Sequence, residues 1–505
     1  MQRDSMLQKL SETKEWDIVI IGGGATGLGA ALDAASRGYT TLLVEQYDFA
    51  KGTSSRSTKL VHGGVRYLQQ GNIKLVREAL RERGYLLKNA PHLTSVQPFI
   101  IPVYSWWEKW YYAIGLSVYD LLSGKLSLGH THVLSRKKTM ERLSAINPQN
   151  LSGGVLYYDG QFDDSRLCTD LAMTAERQGA VLLNYCKAVG FEKQGERING
   201  VKLEDTLSGT TFSVSARSVI NATGVFTDAV MQLDDAEKHD IVFPSQGIHL
   251  VVDASFFPGT DAMMIPKTTD GRVLFAVPWH GKVVLGTTDT PIEKVSVEPK
   301  PLEEEIQFIL THINQYGKHR IERSDVKAVY VGLRPLVRIK GARNSSLLSR
   351  DHTLVIAHSG LVTITGGKWT TYRRMAEDAV DNAVFVAKME KKPCVTRDLA
   401  IGFFEERKER LAQIGKEDVA YLEPLAAPYP YTMADIIYAI RYEMAQTTED
   451  LLARRTRLLF LDAAIASKLA PVVTAFLQKE LKQSDEWAQA QVAQFTSLAK
   501  QYLLR

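Results

Sequence analysis

The chain has 505 residues, 61 basic against 57 acidic side chains for a net charge of +4, and 45% apolar residues. That length is too great for one hydrophobic core, so two or three domains are expected, and the near-neutral balance argues against a general nucleic-acid binder. Cys168, Cys186 and Cys394 are odd in number and widely spaced, which favours neither a disulfide framework nor a zinc site; no metal is expected, and a reducing cytoplasm fits.

Asp4, Glu12, Glu15 and Asp17 precede the first apolar run, so the N-terminus does not read as a signal peptide. Nowhere does an apolar run reach the ~18 residues of a membrane span. Ile18 to Ile21 read as a buried strand, Gly22-Gly23-Gly24-Ala25-Thr26-Gly27 as a G-x-G-x-x-G turn, Ala30 to Ser36 as a helix closed by Gly38, and Thr41 to Val44 as a second strand ending in Glu45. This is a βαβ nucleotide-binding unit. Gly22 allows the tight turn, Gly24 lets the backbone approach a pyrophosphate, Gly27 lets helix and strand pack closely, and Glu45 is placed for a ribose diol. A polar stretch follows from Lys51 to Lys59, in which Ser54 and Ser55 suit a phosphate or flavin edge and equally a plain surface loop.

Next come His62-Gly63-Gly64-Val65-Arg66-Tyr67 and a helical pattern from Ile73 to Lys88. Between Tyr104 and Leu122 the chain crowds in aromatics, three of its seven tryptophans among them. On a helix Trp107, Trp110, Tyr111, Ile114, Val118, Leu121 and Leu122 share one face, which fits a membrane boundary or a helix packed into its own core. Val201 to Leu203, Thr211 to Val214 and Ser218 to Ile220 read as an antiparallel meander leading into Asn221-Ala222-Thr223-Gly224. Val273 to Val277 and Val283 to Gly286 flank His280-Gly281 as a hairpin. From Thr353 a strand leads to Thr365-Gly366-Gly367-Lys368 and a helix from Thr370 to about Ala387. Past Pro393 the pattern is helical, with Met433 to Glu443, Glu449 to Leu461 and Ala470 to Leu481 apolar at helical spacing and no catalytic constellation.

Taken together these stretches resemble the FAD-dependent glycerol-3-phosphate dehydrogenases of the glucose-inhibited-division and D-amino-acid-oxidase flavoprotein superfamily, over nearly the whole chain. The carrying motifs are Ile20 to Gly27, Lys59 to Tyr67, Asn221 to Gly224, Gly332-Leu333-Arg334-Pro335-Leu336, Ser349-Arg350-Asp351-His352 and Gly366 to Arg373, with Arg441-Tyr442-Glu443 and Asp450 to Thr456 in the tail. The resemblance implies an α/β fold with a Rossmann-like FAD-binding domain of the D-amino-acid-oxidase/glutathione-reductase type, a β-rich substrate domain and a C-terminal helical domain. Expected boundaries are 15–90, 165–245 and 350–388 for the FAD domain, 91–164 and 246–349 for the substrate domain, and 394–505 for the helical one. FAD contacts are expected at Gly22, Gly24, Gly27, Glu45, Ser54, Ser55, His62, Gly63, Gly64, Gly224, Gly366, Gly367, Lys368 and Thr370.

The implied reaction is oxidation of sn-glycerol 3-phosphate to dihydroxyacetone phosphate, by hydride transfer from C2 to the flavin N5, with electrons passed to a membrane quinone. A phosphate dianion beside a flavin needs several cations with fork geometry, and Arg66, Tyr67, Arg334, Arg350 and Lys368 match the family's substrate-pocket positions. A base titrating near neutral pH is wanted for the hydroxyl proton. His249 is the first candidate, His62 the competitor, and Arg334 an alternative means of stabilising the alkoxide. The family is peripheral on the inner face of the cytoplasmic membrane, so a membrane surface is an expected partner, nucleic acid is not, and a homodimer is left open. A glycerol-3-phosphate oxidase, an amino-acid oxidase and a flavin-bearing membrane scaffold are the rival readings.

Overall fold

The computed structural model describes residues 1–65, 68, 71–269, 271–337 and 352–504. Arg66, Tyr67 and Arg350 lie outside these residues. Among the described residues two sheets, of eight and ten strands, carry the fold.

In the first sheet the strand Glu15–Ile21 is central, running parallel to Thr41–Val44 on one side and to Thr211–Asn221 on the other. Its continuous apolar run follows from burial on both faces, one of them under the helix Ala25–Ser36. That helix begins five residues before the sequence pattern suggested, because Gly27 and Gly29 are helical despite their poor propensity. A Cβ on Gly27 would lie 1.9 Å from the Gly22 carbonyl oxygen, so only glycine lets helix and turn meet.

The expected three-stranded meander differs from the structure. Thr211–Asn221 is one strand whose first half pairs antiparallel with Arg197–Asp205, while Ser218 to Asn221 pair parallel with Ile18 to Ile21. Ser218 to Ile220 is therefore the parallel continuation that delivers Ala222 to the Gly22 turn. His352–Ile356 and Val362–Gly366 complete this edge.

The second sheet is mostly antiparallel. Val242–Asp253 pairs along its length with Ala328–Val337, and on its other side with Lys282–Gly286. Leu274–Trp279 and Lys282–Gly286 form the expected hairpin, with His280 and Gly281 both at positive φ as a two-residue primed turn requires. Leu60–Val61 and the start of Val242–Asp253 belong to this sheet, outside the boundaries expected from the sequence.

The helices from Phe404 onward pack on the face of the second sheet that also carries His249, where Val251, Val284, Ala328 and Tyr330 share a core with Ile436, Leu459, Phe460 and Phe495. The expected helix Glu449 to Leu461 is broken. Asp450–Arg455 forms a π-helical turn, Arg457 is left-handed (φ +61), and a short helix Leu458–Leu461 follows. Periodicity alone could not show this, because buried ion pairs made by Arg454, Arg455 and Arg457 override it.

Candidate active site

At the carboxyl ends of the first sheet's parallel strands lies a cavity of about 590 Å³, and against it, under the second sheet, one of about 350 Å³. Thr53, Pro335, Gly367, Lys368 and Trp369 line both. This placement, beyond strand ends and at a helix N-terminus, is where open α/β sheets bind nucleotides.

The larger cavity is built for a dinucleotide. Gly22 takes φ +113, and a Cβ there would meet the Ala222 carbonyl oxygen at 2.7 Å. Gly24 caps the helix Ala25–Ser36 without a side chain, which leaves the positive end of the dipole at the cavity wall. Glu45 accepts hydrogen bonds from the Gly23 N–H at 2.6 Å and the Tyr47 N–H at 2.9 Å, and burial raises its pKa. Ser54 Oγ accepts from the Ala25 N–H at 2.9 Å, and its carbonyl accepts from the Trp369 indole N–H at 2.9 Å, joining the 48–59 strip to two walls at once. Gly224, Gly366 and Gly367, at φ +60, +79 and +69, close the far side.

Thr58, His62, Gly64, His249, Arg272, Arg334, Lys368 and Thr370 line the smaller cavity. His249 is 2% exposed, its Nε2 is 2.8 Å from Thr58 Oγ1, and its ring stacks on Tyr330 at 4.7 Å between centroids. Its neighbour across the sheet is Gly286, where a Cβ would lie 2.5 Å from the imidazole. Arg334 fills a second glycine-shaped space: a Cβ on Gly247 would meet its guanidinium at 2.3 Å. The guanidinium donates to the Gln246 carbonyl at 3.3 Å, Asp289 at 3.2 Å and Thr287 Oγ1 at 3.1 Å.

Electrostatics correct one expectation. Burial, then the cations of Lys59 and Arg334, hold the His249 pKa well below its usual value, so the imidazole is neutral rather than poised near pH 7. Lys59 itself is fully buried. Its ammonium donates to the Ser55 carbonyl at 2.8 Å and Asp164 at 2.7 Å, lies over the rings of Trp279, Tyr330 and Phe460, and is pulled down to about 7 by burial.

Three expected cofactor residues line neither cavity. Gly27 serves helix packing, as described above. Ser55 is buried beneath the strip, its carbonyl turned to Lys59 and Arg457. Gly63 donates its N–H to Tyr119 Oη at 2.7 Å and lies so close to Leu80 that a Cβ would be 2.6 Å away, so its smallness serves packing. Thr58, Lys59, Arg272 and Tyr330 were missed as site residues. Lys59 and Arg272 each sit at the edge of a glycine-bearing loop, a weak signal that only the tertiary pairing makes meaningful.

The helix Trp106–Ser123 is amphipathic twice over. Tyr112, Leu116 and Tyr119 face inward, while Trp106, Trp107, Trp110, Tyr111, Ile114, Val118 and Leu121 are exposed, Trp106 by 74% and Leu121 by 80%. Its Tyr119 Oη, besides meeting Gly63, donates to Asp159 at 2.8 Å, which connects the exposed helix to the rim of the smaller cavity.

Comparison with known proteins agrees with this geometry. Residues 17–373 match the family described as FAD dependent oxidoreductase, and residues 394–488 the C-terminal domain of alpha-glycerophosphate oxidase. The mitochondrial glycerol-3-phosphate dehydrogenase of Homo sapiens is 40% identical, over 97% of this chain and 74% of its own. That of Saccharomyces cerevisiae is 34% identical, over 99% and 92%. A crystal structure of the Bacillus halodurans glycerol-3-phosphate dehydrogenase complexed with FAD superposes with a TM-score of 0.79 at 30% identity, covering 99% of this chain and 97% of that one. On these grounds, and with a cavity shaped for its cofactor, the chain belongs to the FAD-dependent oxidoreductases of the D-amino-acid-oxidase type, among the FAD-dependent glycerol-3-phosphate dehydrogenases.

Proposed function

We propose that this enzyme oxidises sn-glycerol 3-phosphate to dihydroxyacetone phosphate and passes the electrons to a quinone in an adjoining membrane, in glycerol catabolism. The carrying observation is the convergence of Arg334, Lys368 and a neutral, buried His249 on one small cavity that abuts the FAD cavity. The relatives' names support the substrate.

FAD, when bound, supplies the two-electron acceptor. The chain's own residues do the rest. Arg334 and Lys368 hold the phosphate, and by resemblance Arg66, Tyr67 and Arg350 join them; Arg272, which also lines the smaller cavity, adds a cation. His249 accepts the hydroxyl proton at Nε2, the nitrogen that already engages the Thr58 hydroxyl. A resting imidazole of low proton affinity is unprotonated at working pH. The arriving dianion offsets the repulsion from Arg334 and Lys59, raising that affinity when the proton must move.

The exposed face of Trp106–Ser123 favours quinone over oxygen as acceptor, because an aromatic amphipathic helix suits the headgroup boundary where quinones are reached. It is the proposed site of peripheral attachment to the inner face of the cytoplasmic membrane. Turnover assays separate the two acceptors. Product formation with a long-chain quinone in vesicles, with little peroxide in air, is expected; stoichiometric peroxide and no quinone activity would make the protein an oxidase.

A further inference from the structure

Among the described residues none after Met375 lines either cavity, yet the C-terminal helices are tied to the cavity walls by buried arginines. The target is the strip 48–59. Lys51, Gly52, Thr53 and Ser54 wall the FAD cavity, and Thr53, Ser57 and Thr58 continue into the smaller one. Apart from the short turn Thr53–Ser55 the strip has no helix or strand, and it contains Ala50 and Lys59 at positive φ. Such a segment does not hold its own shape.

It is held from beneath at three points. Asp48, fully buried, accepts from Arg454 Nε at 2.6 Å and from Arg455 Nη1 and Nη2 at 2.8 and 2.9 Å. Lys51 pairs with Glu449, which also pairs with Arg454 at 2.6 Å. The Ser55 carbonyl accepts from Arg457 Nη2 at 2.8 Å, and the same guanidinium reaches Asp164 at 3.0 Å. These arginines come from one short stretch that gives up α-helical geometry, through a π turn and a left-handed Arg457, and thereby aims all three guanidinium groups at one strip. π turns of this kind recur at functional sites.

We propose that the turn Asp450–Arg457 is an intramolecular clamp on the FAD-binding strip. Arg454, Arg455 and Arg457 are positioning residues that keep Lys51 to Ser54 in the shape that walls the cavity. FAD affinity is thus set partly by a domain that does not touch the cofactor. Without the clamp the competent shape is one of several, and apparent affinity falls in proportion to its population.

The test uses full-length apoprotein titrated with free FAD, followed by quenching of flavin fluorescence, beside thermal melts of the apo forms. Arg455→Lys keeps the charge but loses the fork, and is expected to raise the FAD Kd about tenfold or more, with Glu449→Gln raising it about threefold. The control is Leu459→Ala, a cavity in the same helical core; it should lower the apo Tm and leave the FAD Kd unchanged. An unchanged Kd in Arg455→Lys and Glu449→Gln overturns the clamp. So does an equal rise in Leu459→Ala, which would trace the effect to general destabilisation. If Arg455→Lys does not fold, the less deeply buried Glu449 site decides alone. None of these readouts depends on the identity of the substrate.

Discussion

Burial first, and then the charges of Lys59 and Arg334, set the pH behaviour of His249. Its folded pKa lies below the unfolded value, so the neutral base is present at all pH values above that lowered pKa and is lost only below it. The acid limb of kcat/KM, which reports the free enzyme, is therefore expected below pH 6.5 rather than at it. Removing the nearby ammonium by Lys59→Met relieves repulsion on the imidazolium and should move that limb upward; an acid limb that stays in place would remove His249 from the role of base. At Arg334 the expected loss is in binding charge. A charge-assisted hydrogen bond contributes roughly 1.5–3 kcal/mol, so Arg334→Ala should lower kcat/KM for glycerol 3-phosphate by about one to two orders of magnitude. Glycerol, lacking the phosphate, should change much less in the same assay. Arg334 and Lys368 were legible because each stands in a recognisable motif, and His249 because a histidine is the side chain suited to take the hydroxyl proton. Thr58, Lys59 and Arg457 were not, since their roles come from partners about 100 to 400 residues away in sequence, His249, Asp164 and Ser55.

Among the elements, the Gly-rich turn was the most legible, because strand, glycines, helix and acid follow in order. Its weakest tolerance is at Gly27. A β-carbon 1.9 Å from the Gly22 carbonyl must push the helix off the strand, costing about 3 kcal/mol at the upper end for overpacking. Gly27→Ala is therefore expected to purify with a lowered Tm and a reduced flavin-to-protein absorbance ratio; a full flavin complement would show that the turn does not shape the cofactor site. The helix Trp106–Ser123 was legible as amphipathic but not as two-sided, since aromatic spacing does not say which apolar face finds a core. Changing Trp107, Trp110 and Ile114 together to Ser touches only exposed positions. Release from vesicles and loss of long-chain quinone activity are expected, with activity toward a water-soluble dye retained. A parallel fall in dye activity would assign this helix to folding instead. The strand Thr211–Asn221 misled in another way: one strand changes from an antiparallel to a parallel partner, and alternation along a single sequence carries no record of partner direction.

Across the whole molecule, two sheets meet at the strip 48–59 and the loop around Lys368, so the two cavities share walls rather than merely adjoining. One sheet presents the cofactor cradle, the other presents His249 and Arg334 on paired strands, and the C-terminal helices pack on that same face of the second, with Phe460 against the Tyr330 ring that stacks on His249. The succession of glycine-bearing turns made the discontinuous nucleotide domain readable. The arginine turn of the tail was not, because its periodicity is helical while its buried ion pairs demand otherwise. Substrate chemistry at the junction is the central claim, and anaerobic mixing of the oxidised yellow holoprotein with glycerol 3-phosphate tests it most directly. Complete bleaching of the flavin band with one equivalent of dihydroxyacetone phosphate is expected, slower when deuterium replaces the C2 hydrogen and far slower with glycerol. A flavin that stays oxidised at saturating glycerol 3-phosphate, or that bleaches equally fast with glycerol, would contradict it.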